Sequence, residues 1–160
     1  ASDPTLFLEY WNQPGLTKAI RINEDWIRTN DLARKDEDGY FWYQGRNDDL
    51  IKSAGYRIGP AEVEDGLVKH HQVAEAAVIG KPDADRGAIV KAFVRLMPGI
   101  APGEELASEL QDFVKTNLAA YKYPREIEFV DSFPLTSSGK IRRGELRRRE
   151  IEKPSSETAA

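Results

Sequence analysis

One lysine near the end of the chain has the setting of a residue that does chemistry. Lys140 directly follows glycine in the polar run Pro134-Leu-Thr-Ser-Ser-Gly139, and such a composition is typical of a loop. A compact ammonium at the tip of a mobile loop can enter a neighbouring site and offset negative charge that develops there during a reaction. Composition alone also fits a solvated loop lysine, so both interpretations stay open at this point.

A second segment has the character of a binding surface. Gly55 lies between the apolar runs Leu50-Ile51-Lys52 and Tyr56-Arg57-Ile58, which predicts a short hairpin whose turn uses the positive φ that glycine tolerates. Because glycine has no side chain, the backbone at this tip can approach a slender ligand closely.

The elements that must position these two segments follow from apolar spacing and from turn residues. An earlier hairpin is predicted with strand-like runs at 26–30 and 40–43 around the turn-forming residues Asp36 to Gly39. Proline at position 60 suits the first turn of a helix. The remaining predicted elements are the helix from Pro60 to about His70, strands Val73 to Ile79, Ala88 to Leu96 and Ile127 to Val130, a helix over 105–118, and a short basic helix from Ile141 to Ile151.

These elements predict a small α+β domain from about Asp49 onward, with a three-stranded sheet, flanking helices and a separate β-hairpin. The first residues are apolar and aromatic, with Phe7 to Trp11 and Lys18 to Ile22 around Pro14-Gly15. We expect them to be a strip of a larger domain. The expected division is therefore 1–48 for the end of the large domain and the hinge, 49–151 for a mobile C-terminal domain, and 152–160 for a disordered tail.

Composition excludes several classes of protein. The 160 residues carry a formal net charge of −4 and no cysteine, which excludes disulfides, thiolate metal sites and a cysteine nucleophile. The acidic balance argues against a dedicated nucleic-acid binder, so the basic run from Lys140 to Arg149 is interpreted as a solvated helix. No apolar run approaches the ~20 residues of a membrane span, and an intracellular location is the default. The two adjacent histidines, His70 and His71, fit a helix end better than a metal site, and we predict no metal site.

Three segments, taken in order along the chain, resemble one superfamily. They are Thr29-Asn30-Asp31, the stretch from Gly45 to Glu64, and the run from Pro134 to Ile141. Together they resemble the C-terminal part of the adenylate-forming ligases, which include acyl-CoA synthetases, luciferases and the adenylation domains of peptide synthetases. The segments Gly55 to Pro60 and Tyr121 to Val130 look most like the medium-chain acyl-CoA synthetases. The resemblance covers about residues 19–149.

The resemblance implies an AMP-forming acid–thiol ligase. Such enzymes convert a carboxylic acid and ATP to an acyl-adenylate and pyrophosphate, and then transfer the acyl group to CoA. It also implies a missing N-terminal domain that holds the acyl pocket and most of the contacts to ATP and its Mg. The chain is thus expected to be a C-terminal fragment that is inactive alone. Acyl-chain length and oligomeric state are not readable from it.

The resemblance also assigns roles to single residues. It makes Lys140 the lysine of the adenylation step and Asp31 the acceptor of hydrogen bonds from both ribose hydroxyls of ATP, a task that suits the two oxygens of a carboxylate. Arg46 would contact the ribose and phosphate side of the nucleotide, and Asp48 would be the hinge between the two domains. The family usually has glycine where Asn30 precedes Asp31. Ordinary surface or turn residues are the alternative for each position.

The face opposite the lysine loop is expected to meet CoA. The resemblance places seven residues there: Ala54, Gly55, Tyr56, Arg57, Arg86, Lys115 and Tyr123. The three cations suit a ligand with phosphates, although each of them taken singly also fits a solvated surface charge.

Two further expectations and two rivals complete the sequence interpretation. A protein acetyltransferase is a candidate partner, because acylation of Lys140 would remove the charge on which adenylation depends. The expected location is the cytoplasm, or the mitochondrial matrix in a eukaryote. The rivals are an adenylation domain that loads a carrier protein and a free-standing regulatory or binding module. Exposed apolar surface on residues 5–30 would favour the fragment over the module.

Overall fold

The computed structural model describes residues 7–23 and 25–152 of the chain. The helices are α1 (Pro14–Ile20), α2 (Pro60–Val68), α3 (Glu104–Asn117) and α4 (Arg143–Glu152), with a 3-10 turn at Ala120–Lys122. The strands are β1 (Asp31–Lys35), β2 (Phe41–Arg46), β3 (Ile51–Ser53), β4 (Tyr56–Ile58), β5 (Val73–Asp83), β6 (Gly87–Leu96) and β7 (Glu126–Phe129). No helix in the described ranges is both long and apolar enough to cross a membrane.

The central sheet has the strand order β5–β6–β7. Strands β5 and β6 form an antiparallel pair in which Asp83 lies opposite Gly87, and β7 runs parallel to β6. A parallel pair needs a crossover connection, and α3 lies in the segment that joins β6 to β7. The hairpins β1–β2 and β3–β4 are separate two-stranded sheets. The expected α+β class is confirmed, with a three-stranded sheet, flanking helices and a separate hairpin.

The two faces of the central sheet carry different helices, because side chains alternate along a strand. Val78, Ala92 and Val94 belong to the main core together with residues of α2 and α3. Ala77, Ile79 and Phe93 project the other way and pack with Leu146 of α4. The fold from β3 onward therefore has three layers, with α4 on one side of the sheet and α2 and α3 on the other.

The predicted hairpin in the first third of the chain exists, but its first strand was placed too early. The strand is β1, which follows the predicted run at 26–30. The turn explains the difference: the Oδ1 atom of Asp36 accepts a hydrogen bond from the backbone N–H of Tyr40 at 2.8 Å, and Lys35 pairs with Phe41 directly beside it. Pairing starts next to the turn, so the residues closest to Asp36 form the strand.

The other predicted elements are present with small changes of length. Strand β5 continues four residues beyond the predicted end at Ile79, and β6 starts at Gly87, because the two strands pair up to their tight turn. Glu152, which was assigned to the tail, is the last residue of α4. The rest of that predicted tail, 153–160, lies outside the described residues.

Candidate functional site

The loop that carries Lys140 is a small hairpin closed by its own hydrogen bonds. The backbone N–H of Thr136 donates to the carbonyl of Lys140 at 2.8 Å, and the N–H of Lys140 donates to Oγ1 of Thr136 at 3.0 Å. Gly139 has a φ of +80°, a region that few residues other than glycine adopt without strain. The side chain of Lys140 is exposed, and no ion pair to its ammonium occurs within 7–23 and 25–152. A defined backbone therefore presents a free cation.

The lysine borders a groove of about 820 Å³. The groove lies between the loop, α2 and the start of β5. Its other lining residues are Glu64, Asp65, Val68, Lys69, Ala74, Glu75, Ala76, Ile141 and Arg143. Lys140 thus lies near the start of β5.

Asp31 and Arg46 lie opposite each other in the β1–β2 pair. Asp31 is exposed and its N–H donates to Oγ1 of Thr29 at 3.2 Å. Asn30, the predicted departure from the family pattern, has a φ of +63°. Asparagine tolerates this left-handed region better than most residues. Asparagine at position 30 therefore adopts a backbone region that glycine also accepts.

Asp48 lies between two anchored residues. The N–H of Asn47 donates to the carbonyl of Asn30 at 2.8 Å on the side of the first hairpin. Asp49 forms an ion pair of 2.8 Å with Arg147 of α4, and Arg147 also donates to the carbonyl of Asp48. The carboxylate of Asp48 accepts two hydrogen bonds from Arg46, at 2.9 and 3.3 Å.

This pairing shifts the pKa values of both partners. The hydrogen bond with Asp48 raises the pKa of Arg46 above its usual value, and the hydrogen bond from Arg46 lowers the pKa of Asp48. Both groups are therefore charged at neutral pH. The predicted nucleotide contact and the predicted hinge residue are thus directly joined.

The tip of the β3–β4 hairpin consists of Ala54 and Gly55, whose small or absent side chains leave the backbone accessible. Ala54 and Gly55 both have positive φ, +47° and +85°, as in the turns that fit the twist of two-residue hairpins. A Cβ on Gly55 would meet no heavy atom within 4 Å, so this surface is open. The N–H of Ala54 donates to the carbonyl of Arg86 at 3.0 Å, which brings Arg86 of the β5–β6 turn to the tip.

Aromatic rings continue this surface. Tyr56 stacks on Tyr121, with ring centroids 4.1 Å apart and an interplanar angle of 12°. Two residues further, the ring of Tyr123 has the ammonium of Lys115 at 4.5 Å and the guanidinium of Arg125 at 5.1 Å from its centroid. Cations at such distances are attracted to the ring face.

Of the three predicted cations, Lys115 and Arg57 do not lie at the hairpin tip with Arg86. Lys115 forms an ion pair of 2.8 Å with Asp112, and this hydrogen bond raises the pKa of Lys115. Arg57 lies opposite Lys52 in the hairpin and alternates with Tyr56 along β4, so it projects from the other face. The structure therefore brings together Ala54, Gly55, Tyr56 and Arg86, and separately Lys115 and Tyr123, but it does not join Arg57 to either group.

The two candidate surfaces lie at opposite ends of β5. Lys140 borders the groove beside Glu75, near the start of the strand, whereas Arg86 follows its last residue, Asp83. Eight residues separate Glu75 from Asp83, which at the rise of a β-strand is roughly 26 Å. A single ligand of moderate size cannot contact both surfaces at once.

The family model described as the AMP-binding enzyme C-terminal domain matches residues 62–140, which include Lys140, Arg86, Lys115 and Tyr123. The chain belongs to the AMP-binding enzymes and carries their C-terminal domain.

Relatives of this AMP-binding C-terminal domain agree on the kind of enzyme. The chain is 57% identical over 149 residues to a protein of Bacillus subtilis named as the uncharacterized acyl–CoA ligase YtcI, covering 93% of the chain and 28% of the relative. It is 50% identical over 148 residues to the mitochondrial acyl-coenzyme A synthetase ACSM1 of Mus musculus, covering 91% and 26%. The chain thus spans about a quarter of the length of the curated relatives it matches.

A solved structure agrees with the fold. The ATP-bound RpMatB-BxBclM chimera B1 superposes with a TM-score of 0.85 at 39% identity, over 94% of this chain and 30% of the other.

Sequence reasoning missed the residues that fasten α4 of the AMP-binding C-terminal domain. Lys91, 1% exposed, lies within 2.7–2.8 Å of carboxylate oxygens from Glu126, Glu128 and Glu150. Glu150 comes from α4, so the cluster joins this helix to the sheet. An isolated lysine in an apolar strand was the available signal, since such a residue is rarely buried without a partner.

Proposed function

We propose that the protein of which this chain forms a part is an AMP-forming acyl-CoA synthetase. It would activate a carboxylic acid with ATP to an acyl-adenylate and then transfer the acyl group to CoA. The named activities of the relatives support this proposal, as does the ATP-bound structural neighbour. This chain would contribute the lysine for the first step and the CoA-facing surface for the second.

The observation that carries the proposal is the separation of the two candidate surfaces along β5. Two half-reactions in one site require two sets of groups that are presented one after the other. Lys140 and the Ala54–Tyr56 tip lie at opposite ends of one strand, so turning the domain would exchange one set for the other.

In the first step, Lys140 would stabilise negative charge. Its ammonium has no competing ion pair among residues 7–23 and 25–152, and it is fixed to a backbone with defined hydrogen bonds. A preorganised cation is most effective where charge develops in the transition state, here between the carboxylate and the α-phosphate.

Replacement of Lys140 by alanine in the full-length protein tests this role. We expect acid-dependent pyrophosphate release to fall by ~10²–10³-fold, and thioester formation from supplied acyl-adenylate and CoA to change little. The matched control is Lys69→Ala, which removes another lysine that borders the same groove. Normal adenylate formation by Lys140→Ala would refute the proposal.

The nucleotide side of the proposal concerns Asp31 and Arg46. The exposed carboxylate of Asp31 fits two ribose hydroxyls, and the exposed guanidinium edge of Arg46 fits an anionic ligand. No group of three or more His, Asp or Glu side chains in the described part of the chain could hold a metal ion.

We further propose that residues 1–48 belong to the large domain and 49–151 to the mobile one, with Asp48 as the hinge. The anchors on either side of Asp48 support this division, because Asn47 is tied to Asn30 and Asp49 to α4. A residue between two fastened segments is the one that must absorb a rotation.

Exposed apolar side chains before the hinge support the presence of a covering domain. Trp11 is 89% exposed, Leu8 is 81% exposed, and the adjacent residues Phe41, Trp42 and Tyr43 are 61–73% exposed. An apolar patch of this kind marks an interaction surface. The rest of the large domain is the proposed partner, which favours the fragment over a free-standing module.

The exposed Lys140 also supports the proposal that a protein acetyltransferase regulates the enzyme. Acetylation would remove the charge, so a preparation shown by mass spectrometry to be acetylated at Lys140 should lose adenylate formation as Lys140→Ala does.

A cytoplasmic or, in a eukaryote, mitochondrial matrix location also stays a proposal; the mouse relative is named as mitochondrial.

A further inference from the structure

One buried carboxylate joins three parts of the fold at the base of the lysine loop. Glu64, on α2, is 8% exposed. Its Oε1 atom accepts a hydrogen bond from the backbone N–H of Val78 at 2.8 Å and another from Nε of Arg143 at 2.9 Å. The Nη2 atom of Arg143 donates to the second oxygen, Oε2. Glu64 and Arg143 therefore form a bidentate ion pair, and Glu64 also accepts a backbone N–H from the middle of β5.

The ion pair of Glu64 and Arg143 lies at the β5 edge of the sheet and connects the helices on its two faces. Strand β5 is an edge of the central sheet, and Val78 donates to Glu64 from that edge. Helices α2 and α4 pack on opposite faces of the sheet, so the contact between Glu64 and Arg143 passes around the edge and fastens one layer to the other.

The loop of Lys140 is fastened directly to this pair. Arg143 is the first residue of α4, three residues after Lys140. The N–H of the intervening Arg142 donates to the carbonyl of Pro134 at 2.8 Å, and Leu135 bridges Ile141, so both strands of the loop are held at its base. A shift of Arg143 would therefore move the whole hairpin.

We infer that Glu64 and Arg143 are positioning residues for Lys140: the pair sets where the loop, and hence its ammonium, stands relative to the reacting groups. This inference rests on the proposed function of Lys140. A misplacement of about 1 Å can cost ~10²-fold in rate even when the mutated residue is remote from the chemistry. The pair contacts neither the hairpin tip nor Arg86, so it should serve the first half-reaction and leave the second unaffected.

The hydrogen bonds with Glu64 raise the pKa of Arg143, although burial alone would lower it. The charged guanidinium is therefore stabilised by the charged carboxylate of Glu64. Glu64→Gln removes that charge while it keeps an oxygen for the N–H of Val78. The substitution thus loosens the ion pair and spares the hydrogen bond from the N–H of Val78.

The test uses the full-length protein and measures the two half-reactions separately. We expect Glu64→Gln and Arg143→Met each to slow acid-dependent pyrophosphate release by ~10–10²-fold, and Arg143→Lys, which keeps the charge without the fork, to slow it less. Thioester formation from supplied acyl-adenylate should change by less than about twofold. The matched control is Arg149→Met, which removes the exposed ion pair with Glu145 within α4 and should leave both rates unchanged.

A double variant separates positioning from other effects. If Glu64 acts through Lys140, then Glu64→Gln should cause no additional loss in a Lys140→Ala background. Equal losses in both half-reactions, no loss in either, or an additional loss in the double variant would each overturn the inference. Lys140→Ala itself keeps the two ideas apart, since the proposed function fails if this variant is active. Only the positioning role fails if that variant is impaired and Glu64→Gln is not.

Discussion

Replacing Lys91 with methionine removes the centre of the buried ion cluster and keeps a side chain of similar length. The native cluster contains three carboxylates, from Glu126, Glu128 and Glu150, and two ammonium groups, since Lys81 also lies 2.6 Å from Glu126 and 3.7 Å from Glu150. After the substitution, all three carboxylates have lost their common lysine, and Lys81 still contacts Glu126 and Glu150. The side chain of Glu150 is 1% exposed, so water cannot take the place of the lost partner.

The expected loss of stability is large. Removal of one partner from a buried ion pair leaves an uncompensated charge and typically costs about 3–5 kcal/mol. A matched control lies on the same face of the same strand, four residues further: Arg95, whose partner is Glu75 at 3.1 Å and whose side chain is 40% exposed. Loss of such an exposed pair costs only about 0–1 kcal/mol. We therefore expect Lys91→Met to be severely destabilised and Arg95→Met to be close to the wild type.

The pH dependence gives this prediction a sign. Burial alone would raise the pKa of Glu126, but the hydrogen bonds from Lys81 and Lys91 outweigh burial and lower it below its ordinary value of 4.5. The stability that Glu126 contributes is therefore complete above about pH 4.5 and is lost as the pH falls through its folded pKa. Burial would likewise lower the pKa of Lys91, yet its three carboxylate partners raise it, so the contribution of Lys91 is complete below pH 10.5 and is lost only above that value.

In Lys91→Met the carboxylates that have lost Lys91 become neutral when they take up protons, so the penalty should shrink toward pH 3. Urea unfolding of the 160-residue chain, followed by far-ultraviolet circular dichroism at pH 7 and pH 3, measures both effects. Circular dichroism is preferable because all three tryptophans precede residue 43. A loss below about 1 kcal/mol at pH 7, or a loss that grows on acidification, would refute the reasoning.

Two further predictions concern the proposed exchange of surfaces in the full-length protein. Asp48→Pro fixes φ near −65° and should affect the two half-reactions unequally when each is assayed alone. Equal effects would argue against a hinge at Asp48. The control is Asp38→Ala, in the β1–β2 turn. Tyr56→Leu removes the stack on Tyr121 and should raise the KM for CoA by roughly 5–10-fold, about 1–1.4 kcal/mol of lost aromatic contact, without changing acid-dependent pyrophosphate release. An unchanged KM for CoA would show that the stack is structural.

Local patterns were enough to predict most of the fold. Pro60 begins α2 as its position suggests, and Gly55 supplies the positive φ of the β3–β4 turn. The apolar runs of β5 and β6 are buried as expected, because both faces of that part of the sheet are covered by helices. The one misplaced strand was predicted before β1. The prediction failed because the hydrogen bond from the N–H of Tyr40 to the side chain of Asp36 decides where pairing begins.

The candidate residues could be named from the sequence, but their partners could not. Glu64 and Arg143 are 79 residues apart, and nothing in the local pattern of either residue indicates the other. Lys115 was predicted to face a ligand and is in an ion pair with Asp112, three residues away on the same helix. Its role toward CoA stays a prediction. A long-range pair such as Glu64 and Arg143 depends on how the layers assemble, which single-sequence periodicity does not encode, whereas the pair of Lys115 and Asp112 is a local contact within α3.

The length of β5 has a consequence for the order of events in the proposed reaction. In the proposed reaction, only one end of this strand could lie in the reaction site at a time, so the Ala54–Tyr56 tip would be outside while Lys140 is inside, and the reverse. CoA would therefore find its docking surface in place only after the lysine has withdrawn. The length of this eleven-residue strand would thus prevent activation and transfer from taking place at the same time.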